Sequence, residues 1–421
     1  MNTLMSVAAV SAEFSQRAPS AAAKQSLVPA VVLGGGANAL SAVRSLGRAG
    51  VPVYILNEAE ALVRHSRFGR WLELPAAASA AAAWTDFLLG PASDSLGGAV
   101  LLACCDSALD ILARHRVALA EKFTLDDAHP EAHLAMLNKV RTYQIATAAG
   151  IATPRFRVLA PGQGLESLVP ALPYPLIVKP AHTHIFRQRF GKKFVIVDDY
   201  ASLQEAYQLV RELEMEVMLV EFIPGPDDQL CSYYTYLDQD AVPLVNFTKR
   251  VIRRHPPVVG NGCYHVTDWD PEVAAAGLAF LQAARVHGLG NVEFKRDPRD
   301  GKLKLIECNA RLTEANCLVA AAGLDLPLFV YNRLTGRHQL PVTGYQRGLR
   351  LWYPVDDFHA FRQLHKEGRL SWHAWLRSIA HAQTFPYFCW YDPWPSAVKE
   401  WRRWRAGLSR RMRLPTTSTG A

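Results

Sequence analysis

The sequence predicts an α/β unit built on a parallel, doubly wound sheet, followed by an α+β body of antiparallel sheets. Three observations carry this: strands alternate with helices over the first ~125 residues, strands dominate beyond Pro154, and glycine and proline punctuate the change. At 421 residues the chain exceeds what one hydrophobic core usually supports, so two or three packed units are expected. Half the residues are apolar and a fifth are charged, which excludes the disordered and fibrous classes.

Taken in order, residues 1–27 mix small residues with Glu13 and Arg17, lack a continuous apolar core, and read as a flexible leader rather than a secretory signal. Residues 30–33 form a buried-strand pattern, Gly34, Gly35 and Gly36 follow, and apolar residues recur at helical spacing from Ala39 to Ala49 before Gly50. Strands at 53–56 and 99–103, the second closed by Asp106, complete a sheet unit assigned to 28–130. The run Ala76 to Ala83 is a surface helix, since no stretch approaches the ~18 apolar residues that cross a bilayer. A helix over 133–149 ends at Gly150, with Pro154 beyond. Strands then fall at 176–179, 194–197, 217–222, 229–237, 242–249, 292–296 and 303–308, and helices at 202–213 and 271–286. Residues 338–398 form an aromatic-rich extension without an interpretable motif.

Seven cysteines show neither CxxC pairing nor zinc spacing, which points to reduced thiols and a cytoplasmic location. The net charge of +8 is concentrated in a basic tail at 399–421: from Lys399 to Arg413 seven basic residues stand against one acid, leaving about +2 for the rest. No nucleic-acid partner is therefore expected. Trp401 and Trp404 interleave with the arginines; a solvated helix is the plain reading, and peripheral contact with anionic lipid is the alternative.

The most informative stretches are Gly290-Asn-Val-Glu-Phe-Lys-Arg and Lys304-Leu-Ile-Glu-Cys-Asn-Ala-Arg. Asp297 to Lys302 is a hairpin turn, so Glu293 and Glu307 lie on adjacent antiparallel strands and face one side. Period-two alternation puts Asn309 on that face, and Arg311 as well if the strand stays extended. Two carboxylates and an amide oxygen are hard ligands of the kind Mg²⁺ takes alongside phosphate oxygens. The competing reading makes both glutamates solvent-facing partners of Lys302 or Lys304, but like charges on neighbouring strands repel unless a cation lies between them.

These residues resemble the ATP-grasp superfamily, in its carboxylate–amine ligase type and similar to the ATP-grasp domains of the carbamoyl-phosphate synthase large chain. Its second metal segment has the form E-x-N-x-R, with another Glu on the neighbouring strand. The resemblance implies a Rossmann-like pre-ATP-grasp sheet and then a two-lobed ATP-grasp fold over 131–337, with a small lobe at about 155–222 and a large lobe at about 223–337. It implies ATP with Mg²⁺ or Mn²⁺ held by Glu293, Glu307 and Asn309. Arg311 and Lys179 would be catalytic, with Lys139 and Lys179 on the nucleotide phosphates. Glu221, Phe222 and Ile223 would line the adenine, Asp228 the ribose, and Lys249, with Arg250 beside it, would add positive charge near phosphate or substrate. Substrates would be a small carboxylate and an amine, joined through an acyl phosphate, with Arg253 and Arg254 hinting at an acidic one. A homodimer is the default assembly.

The resemblance has one departure. Where the family often carries a glycine-rich lid, residues 181–193 hold a single glycine, Gly191, with Arg187, Arg189, Lys192 and Lys193. Two other functions compete. Gly34-Gly-Gly-Ala-Asn-Ala39 fits G-x-G-x-x-A with Glu58 as a ribose acid, the signature of a nicotinamide or flavin oxidoreductase. A non-catalytic nucleotide-binding module held at a membrane by the basic tail is the third reading, and the set of Glu, Glu, Asn and Arg has no purpose in it.

Overall fold

The computed structural model describes residues 27–126, 128–160, 163–165, 172–181, 186, 194–211, 216–337, 341–342 and 344–412, with side chains as far as Ala406. The lid residues Arg187, Arg189, Gly191, Lys192 and Lys193 lie outside the described residues.

Strands β1 (Ala30–Leu33), β2 (Val53–Leu56), β3 (Arg70–Trp71) and β4 (Val100–Ala103) pair in parallel in the order β3-β2-β1-β4. Alternate residues of β1 enter different cores, as strand periodicity requires. Ala30 and Val32 pack with helix α1 (Ala37–Arg48). Val31 and Leu33 pack with α2 (Ala80–Leu89) and α3 (Asp106–Arg114), and α4 (Arg116–Ala120) follows. The chain runs outward through β2 and β3 and then crosses to β4. The carboxyl ends of β1 and β4 therefore flank a topological switch point, the place where open α/β sheets present a crevice.

The sequence predicts one helix over 133–149, and the structure divides it into α5 (Pro130–Leu137) and α6 (Lys139–Ala148). Asn138 makes the break. Its backbone is extended, and its side chain accepts from the Arg141 amide as the N-cap of α6, a contact worth about 1 kcal/mol. Lys139 thereby becomes the first residue of a helix, and its amide donates to the Ala181 carbonyl at 3.0 Å.

A four-stranded antiparallel sheet follows in the order β5-β8-β6-β7: β5 (Phe156–Leu159), β6 (Leu176–Pro180), β7 (Val195–Val197) and, after α7 (Tyr200–Arg211), β8 (Val217–Glu221). Leu203, Ala206 and Val210 of α7 bury against it.

The largest sheet has seven strands in the order β13-β12-β9-β10-β11-β14-β15. It contains β9 (Leu230–Leu237), β10 (Pro243–His255) and β11 (Asn261–Asp268), then, after α8 (Pro271–Ala283), β12 (Gly288–Arg296) and β13 (Leu303–Asn309). Helices α9 (Asn316–Ala321) and α10 (Leu326–Leu334) intervene before β14 (Arg350–Trp352), α11 (Pro354–Lys366), α12 (Trp372–Ile379), β15 (Gln383–Thr384) and α13 (Trp394–Met412). On one face Tyr233, Val292, Phe294 and Leu305 pack with Tyr143 of α6 and Phe280 of α8. On the other, Tyr234, Tyr236 and Phe247 join α9, α10 and the N-terminal sheet in a single core.

Two sequence expectations are corrected here. The strand ending at Lys249 continues to His255, because Arg253 and Arg254, which look like loop residues, are neutralised by Asp357 at 2.6 Å and Asp227 at 2.9 Å. The uninterpreted extension supplies β14 and β15 to the same sheet, with Arg350↔Gln383 in parallel register.

Candidate active site

Register builds the site. Glu307 of β13 lies directly opposite Glu293 of β12, Glu293 opposite Ser232 of β9, Ser232 opposite Lys249 of β10, and Lys249 opposite Thr267 of β11. Directly opposed residues in antiparallel strands point to the same face. A polar row, Glu307-Glu293-Ser232-Lys249-Thr267, thus crosses five strands. Lys249 donates to Ser232 Oγ at 3.2 Å; burial pulls its pKa down, against the pull of Glu293. Asn309 and Asn291 form the neighbouring pair of the same face.

The Glu307 end of the row gathers further charge. Lys139 Nζ lies 3.0 Å from Glu307 Oε1 and is almost wholly buried. Burial alone would lower the Lys139 pKa; Glu307 and Asp106 outweigh it and hold it above the ordinary lysine value. Arg311 donates through Nη2 to Asn309 Oδ1 at 3.1 Å and through Nε to Asp106 Oδ1 at 2.7 Å. Asp106 opens α3, so the acid that holds Arg311 comes from the N-terminal sheet. Its burial would raise its pKa, but Arg311 and Lys139 hold it below the ordinary carboxylate range.

Lys179, the penultimate residue of β6, reaches the same region through a bulge. The register of β12 and β13 steps from Glu293↔Glu307 to Phe294↔Leu305, so Ile306 is the extra residue. Its carbonyl accepts from Lys179 Nζ at 3.4 Å and from Tyr143 Oη at 3.3 Å.

The expected adenine residues lie where β8 leaves its sheet. The Glu221 carboxylate is held by Arg155 at 3.1 Å and Arg299 at 2.6 Å; burial would raise its pKa, and hydrogen bonds from Arg155 and Arg299 depress it instead. Phe222 N–H donates to the Pro175 carbonyl at 3.3 Å, so it is spent within the fold. Ile223 N–H has no hydrogen-bond acceptor among the described residues, while its carbonyl accepts from Lys295 Nζ at 2.8 Å. Lys295 also holds the Gly225 carbonyl at 3.1 Å, and burial brings its pKa down to about 8. Asp228 is exposed in the turn Asp227–Gln229, whereas its neighbour Asp227 is buried against Arg254.

Several expected residues serve elsewhere. Arg250 follows Lys249 and so points to the opposite face, where it pairs with Asp268 at 2.9 Å. Arg253 is buried on Asp357, which also accepts from the Trp352 and Trp375 indoles, and it is not open to an acidic substrate. Sequence reasoning missed Ser232, Lys295 and Asp106. Lys295 was within reach, two positions past Glu293 on the same strand. Asp106 follows the apolar run of β4 at a helix start, a position that gains meaning only once the switch point is known.

Chemically the cluster offers a hard-oxygen donor set. Among the described residues no three His, Cys, Asp or Glu side chains group as a metal site. A cation here would draw on Glu293, Glu307 and Asn309, with phosphate and water oxygens completing its shell. That composition fits Mg²⁺, which keeps several waters and takes one or two carboxylates beside phosphate.

No family model matches the chain. Against the D-aspartate ligase of Enterococcus faecium it is 26% identical over 253 residues, which is 56% of this chain and 59% of that protein. The match thus spans little more than half the length of that curated relative. Among solved structures, the L-amino acid ligase of Bacillus licheniformis superposes with a TM-score of 0.55 at 20% identity, covering 74% of this chain and 76% of that one. The biotin carboxylase of Campylobacter jejuni, solved as a β,γ-ATP complex, superposes with a TM-score of 0.58 at 16% identity over 76% of this chain and 74% of that one.

Proposed function

We propose that this chain, an ATP-grasp protein by its fold, is an ATP-dependent ligase that joins the carboxylate of one small molecule to the amine of another. One observation carries the reading: Glu307 and Glu293 stand directly opposite each other, and Lys139 and Arg311 converge on the same end of the row. Opposed carboxylates repel unless positive charge lies beside them; Lys139 supplies one such charge to Glu307, and a bound cation would supply another. The names of the relatives, D-aspartate ligase and L-amino acid ligase, support amino acids as both substrates.

In the proposed reaction a carboxylate oxygen attacks the terminal phosphorus of ATP, the bond to ADP breaks, and an acyl phosphate forms. The amine then attacks the carbonyl carbon, loses a proton, and phosphate leaves. A divalent cation held by Glu293, Glu307 and Asn309 would supply charge neutralisation on the phosphate oxygens. Lys179 is assigned to the transferring phosphoryl group, where preorganised positive charge lowers the barrier most. An ammonium has three donors, so Lys139 can keep Glu307 and still offer N–H groups to a phosphate. Arg311, fixed by Asp106 and Asn309, faces the developing oxyanion. The Ile223 amide is assigned to the adenine edge and Asp228 to the ribose. Residues 131–337 are taken as the catalytic unit and the cytoplasm as its location, which seven free thiols support. Among the described residues no helix is long and apolar enough to cross a membrane.

The test is an ADP-release assay across pairs of amino acids with Mg²⁺, run beside Glu307→Gln. Release is expected only when both an acid and an amine partner are present, and it should be lost in the variant. Full release from Glu307→Gln would overturn the metal assignment. Thermal stabilisation by NAD(P)H with none by Mg-ATP would overturn the ligase reading itself.

A further inference from the structure

Helix α13 carries an apolar stripe that the ligase chemistry leaves unused. Trp394, Ala397, Trp401 and Trp404 recur at i, i+3, i+7 and i+10 and therefore share one face. The three indoles are 65%, 53% and 64% exposed, and Trp390, just before the helix, is 87% exposed. Large aromatic side chains in contiguous exposed patches mark interaction sites.

The stripe is held firmly. Asp392 is fully buried and accepts from Arg44 of α1 at 2.9 Å, from Ser66 Oγ at 2.8 Å and from the Arg67 amide at 3.0 Å. Arg44 also holds the Tyr387 carbonyl at 2.8 Å. The other side of α13 faces the body: Lys399 Nζ sits 4.0 Å from the Tyr387 ring, and Arg402 donates to the Glu60 carbonyl at 2.6 Å.

Arginines lie over aromatic rings both on α13 and on the N-terminal unit it packs against. Arg405 lies over the Trp401 ring at 4.7 Å, and Arg48 of α1 lies over Tyr391 at 4.6 Å while donating to its hydroxyl at 3.1 Å. Phe68 meets Tyr391 edge-on at 5.8 Å and carries Arg67 beside it, and Arg64 covers Trp71. Of the acids nearby, Glu60, Glu73 and Glu400 each pair with one arginine, Arg402, Arg64 and Arg403, and Glu314 and Asp356 lie on the Lys399 side of the helix. The segment from Lys399 to Arg413 still carries seven basic residues against one acid.

We infer that this face of α13, with Trp390, Arg403 and Arg405, is a docking surface for an anionic lipid bilayer. Indoles settle at the headgroup level because one end of the ring is apolar and the other donates a hydrogen bond. Arginines beside them are attracted by anionic headgroups. A straight stripe along one helix matches a plane. A second copy of the stripe would bring like charges together, so charge complementarity favours lipid over self-association. The inference stands apart from the ligase reading, since it uses none of the residues assigned to the reaction.

The test uses the full chain with vesicles of phosphatidylcholine alone or with about one third phosphatidylglycerol, read by co-sedimentation and by quenching of tryptophan emission with brominated lipid. Binding should be at least ~10-fold stronger on the anionic vesicles, weaken with added salt, and bring quenching. Trp394→Ser with Trp401→Ser and Trp404→Ser should lose ~10-fold in binding while ADP release and the unfolding midpoint stay unchanged. Arg403→Glu with Arg405→Glu should lose the preference for anionic lipid. Equal binding to both vesicles, no binding, or binding without quenching would overturn the inference. So would a dimer in light scattering that the triple variant dissociates, or displacement from vesicles by a single-stranded oligonucleotide.

Discussion

Two stretches of this chain have the composition of nucleotide sites, the glycine loop Gly34–Gly36 and the segment from Glu293 to Arg311, and they use their polar groups in opposite ways. Along β12 and β13 the charged groups converge on one face and on one another, Lys139 with Glu307 and Arg311 with Asn309. In the loop the Gly36 amide and the Asn38 side chain are consumed internally. Gly36 N–H donates to Asn38 Oδ1 at 2.9 Å, and Asn38 Nδ2 donates to the carbonyls of Cys104 and Leu312. The crevice at the switch point thus receives the chain's own Arg311–Leu312 segment. The first two glycines are there for close packing: a Cβ on Gly34 would sit 2.3 Å from Cys105 Sγ, and one on Gly35 2.6 Å from Cys104 Cβ. A local pattern specifies that a turn is tight, and only its surroundings specify what the turn is tight against.

The contrast can be broken most directly at Glu307. Glu307→Gln should lower ADP release about 10³-fold with the unfolding midpoint little changed, and Gly36→Ala, whose new methyl would meet only Tyr387 Oη at 3.6 Å, should leave the rate within about threefold. The reverse ranking would move the chemistry to the loop. Gly34→Ala should act on stability instead, costing about 3 kcal/mol or more in urea unfolding, since φ is +64° and the thiol and Trp84 leave no space. Unimpaired folding of that variant would remove the packing explanation.

Asp106 joins the two regions, so it sharpens the comparison. Asp106→Asn should cut kcat about 10- to 100-fold while the KM for ATP rises no more than about threefold, because it loosens Arg311 and leaves Lys139 its nearer partner Glu307. An equal rise in KM would place Asp106 at the nucleotide. The smallest effect is expected at Lys295. Its folded-state pKa of about 8 lies below the ordinary lysine value, so between about pH 8 and about pH 10 the unfolded chain binds a proton that the folded chain does not. Lys295 therefore adds stability as pH rises through that window. Lys295→Met should flatten the rise of the urea midpoint relative to the parent, and raise the KM for ATP about fivefold by releasing the Ile223 and Gly225 carbonyls. A steeper rise in the variant would refute the assignment.

Sequence pattern gave β1, β2 and the Glu293–Glu307 pairing because each depends on neighbours a few residues away: alternation, a hairpin turn, a glycine after a strand. The break at Asn138 was written in the same local terms, an Asx residue before a helix start, but the helical periodicity on either side concealed it. Ser232 and Asp106 were illegible for a different reason. Ser232 acquires its role from strand order, which brings β9 between β12 and β10, and Asp106 from contact with Arg311, 205 residues away. The end of β10 was misjudged because Arg253 and Arg254 look solvated until Asp357 and Asp227 are found beside them.

The Asp106–Arg311 pair also bears on how such a protein can be rebuilt or inherited. The motifs lie between Lys139 and Arg311, which invites the idea that this stretch is a portable module. Cut out or grafted behind a different N-terminal sheet, it would carry a guanidinium mostly shielded from water and stripped of its paired carboxylate, with only Asn309 and the Leu312 carbonyl left to orient it. Recombination is thus restricted to donors that place an acid at the first turn of the helix after their fourth strand, and the unit of exchange is larger than the unit of chemistry.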